Sequence, residues 1–522
     1  MAAFVLSNAV GLLRQILISR AFGTGSALDA FYVAQRLPDI LFNLAAGGAL
    51  ASAFIPVFTG FLTRDDRAAA WRLASGVLNL VFASLCAASL LAALFAPLLV
   101  RYTTGFPPEQ QALAVALLRI LLISSAIFGV SGLLMGILNA HQHFLLPALA
   151  PTFYWLGMIF GLLTWAPRLG IYGLAWGAVL GAGLHLAIQL PGLRGLPGVR
   201  YWPDLGLRDP AVLDVIRLMG PRLVGVAAVQ LNFLVTASLA SFMAGGSVSA
   251  LTYAWQVFTM PQVVIAQGIA IAALPAFSAM VARDEINAMR ASLADTLRGI
   301  LFLALPATVG LFLLRAPVIA LLFQRRNFDA QSTALVAWAL AFYTLGLVGH
   351  SVVEILSRAS YALRDTRTPV LVGTGAMGLN IGLSFVLASL FTRLGWWPHG
   401  GLALANTVAT TLEMIGLAWI MRHRLRGLGF TRVWPGLWRT ALASAYMGVV
   451  LALWLKYTQG VSGWIVGVGG VALGGLVFLG VAYALRCPEA RLLLRMLRER
   501  FSRNRRRNKH VESTDNADGA DS

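Results

Sequence analysis

Long apolar runs, separated by short polar turns rich in Arg, Gly and Pro, follow one another along almost the whole chain. A helix needs about 20 apolar residues to cross a bilayer. Runs of that kind predict spans at 2–22, 30–59, 73–100, 110–138, 144–166, 171–193, 220–243, 248–281, 296–314, 332–357, 369–391, 399–421, 438–456 and 462–486. The pattern predicts an all-α polytopic membrane protein with about fourteen transmembrane helices. Several runs are longer than a bilayer is thick and contain Pro or Gly, such as Pro38 and Gly47-Gly48 in the second and Pro261 in the eighth. Kinked or tilted helices are expected there. The first run carries Arg14 in its middle and has no basic leader, so it reads as a span rather than a cleavable signal. Because it begins almost at Met1, a true start further upstream is expected.

Composition agrees with the pattern. The 522 residues are 58% hydrophobic and 12% charged, against roughly 45–50% and 25% for soluble proteins. The net charge of +19 does not require nucleic acid, because the surplus is mostly Arg in loops and tail, where cytoplasmic retention and anionic lipid account for it. Two cysteines, Cys86 inside a span and Cys487 after the last, imply neither a disulfide framework nor a thiolate metal site.

Arg is concentrated in the even-numbered loops, for example Arg64, Arg67 and Arg72 in the first of them and Arg422, Arg424 and Arg426 in the last. The bias predicts a multi-pass membrane protein with both termini cytoplasmic. The basic stretch 491–507 is then expected to lie against anionic membrane lipids, ahead of a polar, disordered end. Val212, Val215, Ile216 and Met219 are spaced as in a short surface helix leading into the seventh span.

An internal repeat recurs at an offset of about 220 residues. Gly25-Ser26 matches Gly246-Ser247, Tyr32 and Gln35 match Tyr253 and Gln256, and AFIPVF at 53–58 matches AALPAF at 272–277. Turns ending in Pro147 and Pro369 correspond, as do GLAWG at 173–177 and GLALA at 401–405. An offset of six helices keeps the membrane orientation, so two pseudo-symmetric six-helix lobes around a central cavity are expected. The expected divisions are an N-terminal lobe at 1–193, a cytoplasmic linker at 194–219, a C-terminal lobe at 220–421, two further helices at 422–486, and a basic then acidic tail at 487–522.

A charge at mid-bilayer costs at least about 2.5–3.5 kcal/mol, so each one needs a partner, water or a function. Arg14 sits about 18 Å into the first helix at ~1.5 Å per residue, too deep to snorkel. It is a candidate anion contact, with a structural ion pair as the alternative. Arg20 is placed to snorkel. Asp29 suits either a substrate site or the first-turn dipole of its helix. Arg36 either faces the substrate path or neutralises Asp39 three residues on. Arg222, at the mouth of the seventh span, is an inward anion contact or a loop anchor. His350 and Glu354, one turn apart, could relay protons or hold a cation, or simply bond to each other. His185 reads as packing. There is no P-loop, no HExxH run and no nucleophile elbow, so enzymatic activity, a metal and a cofactor are not expected.

The stretch 7–58, SNAVGLLRQILISRAFGTGSALDAFYVAQRLPDILFNLAAGGALASAFIPVF, resembles the start of the MurJ (MviN) family of the MOP exporter superfamily. Ser7, Gly11, Arg14, Phe22, Gly23, Gly25, Asp29, Ala30, Phe31, Arg36, Pro38, Phe54 and Pro56 fall at matching positions. GILNAHQHFLLPALAP at 136–151, LLFQRRNF at 321–328 and YALRDTRTP at 361–369 continue the resemblance in order. It implies a lipid II flippase working by alternating access, with a polyprenyl-diphosphate sugar lipid as partner. A monomer is expected. Departures are Asn8, Phe42 and Gln256 where the family usually has Arg, and Gln15, Gly47 and Thr259 where it has an acid. Gln256 is therefore read as a neutral substrate contact. A polysaccharide or multidrug exporter of the same superfamily and a transport-inactive membrane scaffold are the competing readings.

Overall fold

The computed structural model describes residues 2–45 and 48–492, and the described residues contain helices, turns and no strand. The first sequence half forms α1 (Ala2–Phe22), α2 (Ser26–Ala45), α3 (Gly48–Thr63), α4 (Arg67–Leu94), α5 (Ala96–Thr103), α6 (Pro108–Ala140), α7 (Leu145–Phe160), α8 (Ala166–Leu169) and α9 (Ile171–Ala187). The second begins with α10 (Pro210–Ser241), α11 (Ser247–Gln262), α12 (Gly268–Ala282), α13 (Ile286–Leu313) and α14 (Arg315–Phe323). It continues with α15 (Ala330–Leu345), α16 (Leu347–Ala362), α17 (Arg367–Arg393) and α18 (His399–Arg424), and α19 (Phe430–Tyr457) and α20 (Gly463–Ala484) follow.

Among the described residues, ten helices are long and apolar enough to cross a membrane, or up to twelve if each of two bent pairs is one span. The charged α1 and α2 are not among them, and they carry Arg14, Arg20, Asp29, Arg36 and Asp39. The segment read as a short surface helix leading into the seventh span is the first part of α10, which turns by 51° between Pro210–Gly220 and Gly225–Ser241. Val212 and Val215 are buried against a core that includes Leu73 and Val77 of α4, while Ile216 is exposed. Core contact fixes the helix, so it does not lie free on a surface.

Helix starts follow from local chemistry. Asp66 accepts from Ala69 N at 3.0 Å, Asp209 from Ala211 N at 2.9 Å ahead of Pro210, and Asp329 from Ser332 N at 2.7 Å. Each satisfies an amide left over at a helix N-terminus. The repeat is visible in the turns as well. Asp65 and Asp284 have φ of 55° and 57°, and Gln142 and Arg364 both have φ of 60°. Left-handed backbone at non-glycine residues is uncommon, so its recurrence at matched positions marks the same turn built twice.

The described chain divides into two compact units. The first comprises Met1–Gln256, Ile319–Tyr343 and Val370–Ala409, and the second Val257–Val318, Thr344–Pro369 and Thr410–Ser522. In the first, α7 and α9 approach through glycine. A Cβ on Gly157 would lie 2.3 Å from Gly181 Cα, and one on Gly161 2.4 Å from Gly177 Cα. Small residues at four-residue spacing let backbones meet where lipid supplies no hydrophobic drive. In the second, α13, α19 and α20 share a core of Phe302, Met447, Leu451 and Phe478. Arg298 Nε donates to Glu489 Oε1 at 2.5 Å beneath it.

Candidate functional site

Two groups of side chains in the first unit combine charge with burial. The first surrounds Arg14. Its guanidinium carbon lies 4.1 Å from the centre of the Trp155 ring, and Nη1 points at Met158 Sδ at 3.7 Å; both partners are on α7. Nη2 donates to Gln15 Oε1 at 3.0 Å, and Nε is buried with no hydrogen-bond partner. A guanidinium held by a ring and a neutral amide, with one donor unfilled, retains capacity for an anion. Trp155 also lines a cavity of about 360 Å³ within the first sequence half, beside Gln35, Asp39, Phe42, Tyr154 and His185.

Gln15 is fully buried and passes the contact onward. Its Nε2 donates to the Tyr32 hydroxyl at 2.7 Å, the Tyr32 ring meets the Tyr253 ring edge to face with centroids 6.4 Å apart, and Tyr253 donates to the Gly23 carbonyl at 3.3 Å. The chain Arg14, Gln15, Tyr32, Tyr253, Gly23 crosses from one sequence half to the other and back.

It ends at the second group, where the starts of α2 and α11 are pinned together. Asp29, 2% exposed, accepts through Oδ2 from Gly246 N at 2.7 Å. Its Oδ1 accepts from Ser249 N at 2.8 Å and Ser249 Oγ at 2.6 Å. The carboxylate thereby caps α11 from across the repeat, in the position where a helix favours negative charge. Thr24 Oγ1 donates to Ser332 Oγ at 2.8 Å, and Asn327 Nδ2 to the Ala21 carbonyl at 2.6 Å. Gly23 and Gly246 have φ of 60° and 89°, and a Cβ on either would meet Asn327 O at 2.2 Å or Thr24 O at 2.6 Å. The close approach requires glycine at both positions. Outside the membrane spans, Asp329 anchors the same end: hydrogen bonds from the Ser332 backbone and side chain hold its carboxyl below the usual range.

The other candidates are placed as follows. Arg36 lies 5.6 Å from the Phe233 ring of α10 with Nε buried and unpaired. Among the described residues it makes no direct ion pair with Asp39 within 4 Å, although its charge still acts on that carboxyl. Phe233 continues through Trp255 at 5.7 Å to Tyr343 at 5.2 Å, so Arg36 faces an aromatic wall. Gln256 is half-buried next to Trp255. Arg222 falls at the α10 bend, and its side chain lies outside the described set, as does Gly47. Glu354 is engaged by Arg358 Nη2 at 2.7 Å, so its charge is neutralised one turn on. His350 packs on Phe258 at 5.2 Å and reaches Thr410 Oγ1 at 3.3 Å. His185 is buried, 2.6 Å from Ser131 Oγ.

Sequence reasoning noticed Gln15 only as a departure and Tyr32 and Tyr253 only as repeat markers, and it missed Trp155, Ser249, Thr24, Asn327 and Ser332. The available signal was the pair of matched Gly-Ser turns with a buried acid three residues after one of them.

The family model described as lipid II flippase MurJ matches residues 18–468. The chain belongs to the MurJ family. It is 32% identical to the lipid II flippase MurJ of Burkholderia cenocepacia, over 80% of this chain and 82% of that one. A probable lipid II flippase MurJ of Vibrio cholerae is 31% identical over 92% and 93%. The solved structure of a lipid II flippase MurJ in an inward closed conformation superposes with a TM-score of 0.79 at 24% identity, covering 92% and 97%. An inward-facing MATE family multidrug transporter of the MOP superfamily gives 0.67 at 18%, covering 82% and 95%, which shows a shared fold. Within the MurJ fold, Phe42 packs against Phe128 with ring centroids 4.8 Å apart and planes tilted by 50°, at a position where the resemblance leads one to expect Arg.

Proposed function

We propose that this chain flips lipid II from the inner to the outer leaflet by alternating access, in a bacterial cytoplasmic membrane. The observation that carries the mechanism is the chain of hydrogen bonds and one tyrosine ring contact that runs from Arg14 to the Gly23 turn beside the Asp29 clamp. Arg14 would take the diphosphate, for which a guanidinium supplies bidentate, charge-assisted bonds. Arg36 would be the second cation, Gln256 a neutral donor, and Arg222 a contact on the entry side. Asp29 would act on the protein and not on the substrate: its three accepted bonds close the α2 and α11 end, and a carboxylate would repel a diphosphate. In this proposal that end is the outer face, both termini are cytoplasmic, α1 and α2–α3 complete fourteen spans, and the two lobes and tail follow the boundaries expected from the sequence.

The coupling follows from competition for Arg14. An anion that draws the guanidinium away takes it from Gln15 Oε1, frees the amide that holds Tyr32, and loosens the link to Tyr253 and Gly23. Substrate in place would then favour opening of the clamp. Differential stabilisation of one state is the only means by which a ligand can shift such an equilibrium.

The test is replacement in cells depleted of their own flippase, together with vesicles in which an external enzyme labels exposed lipid II. Growth with labelling by the wild type supports flipping. Correctly inserted protein that neither restores growth nor exposes lipid II points to an exporter of other cargo or a scaffold.

A further inference from the structure

The second unit contains a cavity of about 860 Å³ where the start of α13, the end of α18 and the start of α19 converge. Its polar lining is Asn287, Arg290, Trp419, Arg422, Arg426 and Arg432, with Thr431 at the helix start; the remainder is small or apolar. Arg290 is half-buried and donates through Nη1 to the Arg426 carbonyl at 3.3 Å, tying the loop to α13. Arg422, Arg426 and Arg432 are exposed. Among the described residues no acid lines the cavity, and none of the four arginines has an ion-pair partner within 4 Å.

Four uncompensated guanidinium groups around one concavity repel each other unless an anion joins them. The backbone is arranged to keep them there. Arg426, Gly427 and Gly429 have φ of 50°, 124° and 62°, turning the chain tightly enough to place Arg426 and Arg432 at one mouth. Gly429 caps the 28-residue α19 with no side-chain hydrogen bond, so the positive end of that helix adds to the field. Trp419, Trp434 and Trp438 expose 63%, 54% and 42% of their surfaces at the same ends of α18 and α19. Exposed tryptophans of this kind mark headgroup depth.

We propose that this cavity holds the phosphate headgroup of an anionic membrane phospholipid, at a site built from residues other than those around Arg14. The volume far exceeds one phosphate ion and suits a headgroup with its glycerol, while the tryptophans set the depth at which such phosphates lie. Basic pockets between membrane helices recognise lipid headgroups by this chemistry. The site does not depend on which cargo the transporter carries.

The experiment uses the full chain purified in a neutral detergent. Phosphatidylglycerol, phosphatidylcholine and inorganic phosphate are titrated separately, and bound lipid is counted by native mass spectrometry. The wild type should retain phosphatidylglycerol in preference to phosphatidylcholine. The triple variant Arg422→Gln, Arg426→Gln, Arg432→Gln should weaken the tightest phosphatidylglycerol on the order of 100-fold, from the contribution of each Arg at a membrane surface. The corresponding triple Lys variant, which keeps the charge, should stay within about 10-fold. Arg101→Gln with Arg393→Gln, two exposed arginines outside the cavity, should change nothing. The proposal is overturned if the triple Gln variant holds phosphatidylglycerol as the wild type does. It is equally overturned if inorganic phosphate binds as tightly as the lipid, which would make the ligand a free anion.

Discussion

Tyr32 and Tyr253 occupy matching positions of the internal repeat and meet edge to face, with ring centroids 6.4 Å apart and planes at 89°. Each side chain is the other's counterpart, so the pair lies where the two halves of the first unit's clamp touch. Removing one hydroxyl should break the path from Arg14 without emptying the core. Tyr253→Phe is expected to leave insertion and folding unchanged and to slow lipid II exposure about 3- to 10-fold, the worth of one net hydrogen bond. Gln15→Leu, which severs the same path one step earlier, should behave alike. A combined variant no slower than either single one, measured in the vesicle labelling assay, checks that both act on one chain.

Asp29→Ala leaves the Gly246 and Ser249 amides without their acceptor. Charge-assisted bonds contribute about 1.5–3 kcal/mol each, so the closed state should lose enough stability to open at rest. In a chain with Cys86 and Cys487 replaced, a cysteine at Ser247, which is buried at the start of α11, should react with an impermeant maleimide at least about 10-fold faster when Asp29 is Ala, the change that follows from about 1.4 kcal/mol. Unchanged reactivity would remove Asp29 from the clamp.

The α7 and α9 contact predicts a contrast between glycines. Gly177→Leu inserts a side chain where Gly161 Cα is 2.9 Å from the first added carbon. Overpacking of this kind costs about 1–3 kcal/mol or more, so folded yield and melting temperature in detergent should fall. Gly183→Ala, with nothing within 4 Å, should match the wild type.

Asp365 caps α17 through Arg367 N and Thr368 N, both at 3.0 Å, and is paired with Arg424. Burial alone would raise its carboxyl, but Thr368 and Arg424 together hold it below the ordinary 3.8. A depressed carboxyl stabilises the fold above its unfolded pKa and loses that contribution as pH falls through the folded value. Asp365→Asn keeps a capping acceptor and removes the charge. The stability difference from the wild type, read from melting curves, should be greatest near neutrality, about 0.5–1 kcal/mol because Arg424 is partly exposed, and should close below 3.8.

Spans, repeat and family could be read from the chain because each rests on local or periodic pattern. Arg14 could be picked out because a buried charge is conspicuous in an apolar run. The Asp29 clamp could not, since its partners Gly246 and Ser249 lie 217 and 220 residues away and nothing near Asp29 names them. Its helix-dipole explanation held a correct element, yet the dipole it serves most directly is that of α11 and not that of its own helix. The one-turn spacing of His350 and Glu354 was legible too, whereas the ion pair from Arg358 to the same carboxylate, at 2.7 Å one turn later, was not singled out.

The account rests on Arg14 holding the lipid-linked diphosphate while the second half contributes neutral contacts, and a vesicle assay of lipid II exposure tests it most directly. Arg14→Ala should insert normally and reduce exposure at least about 10-fold, as loss of charge-assisted bonds requires, whereas Gln256→Ala should cost roughly half as much in free energy. Full activity of Arg14→Ala beside an inactive Gln256→Ala would place the anion on the other half and contradict the account.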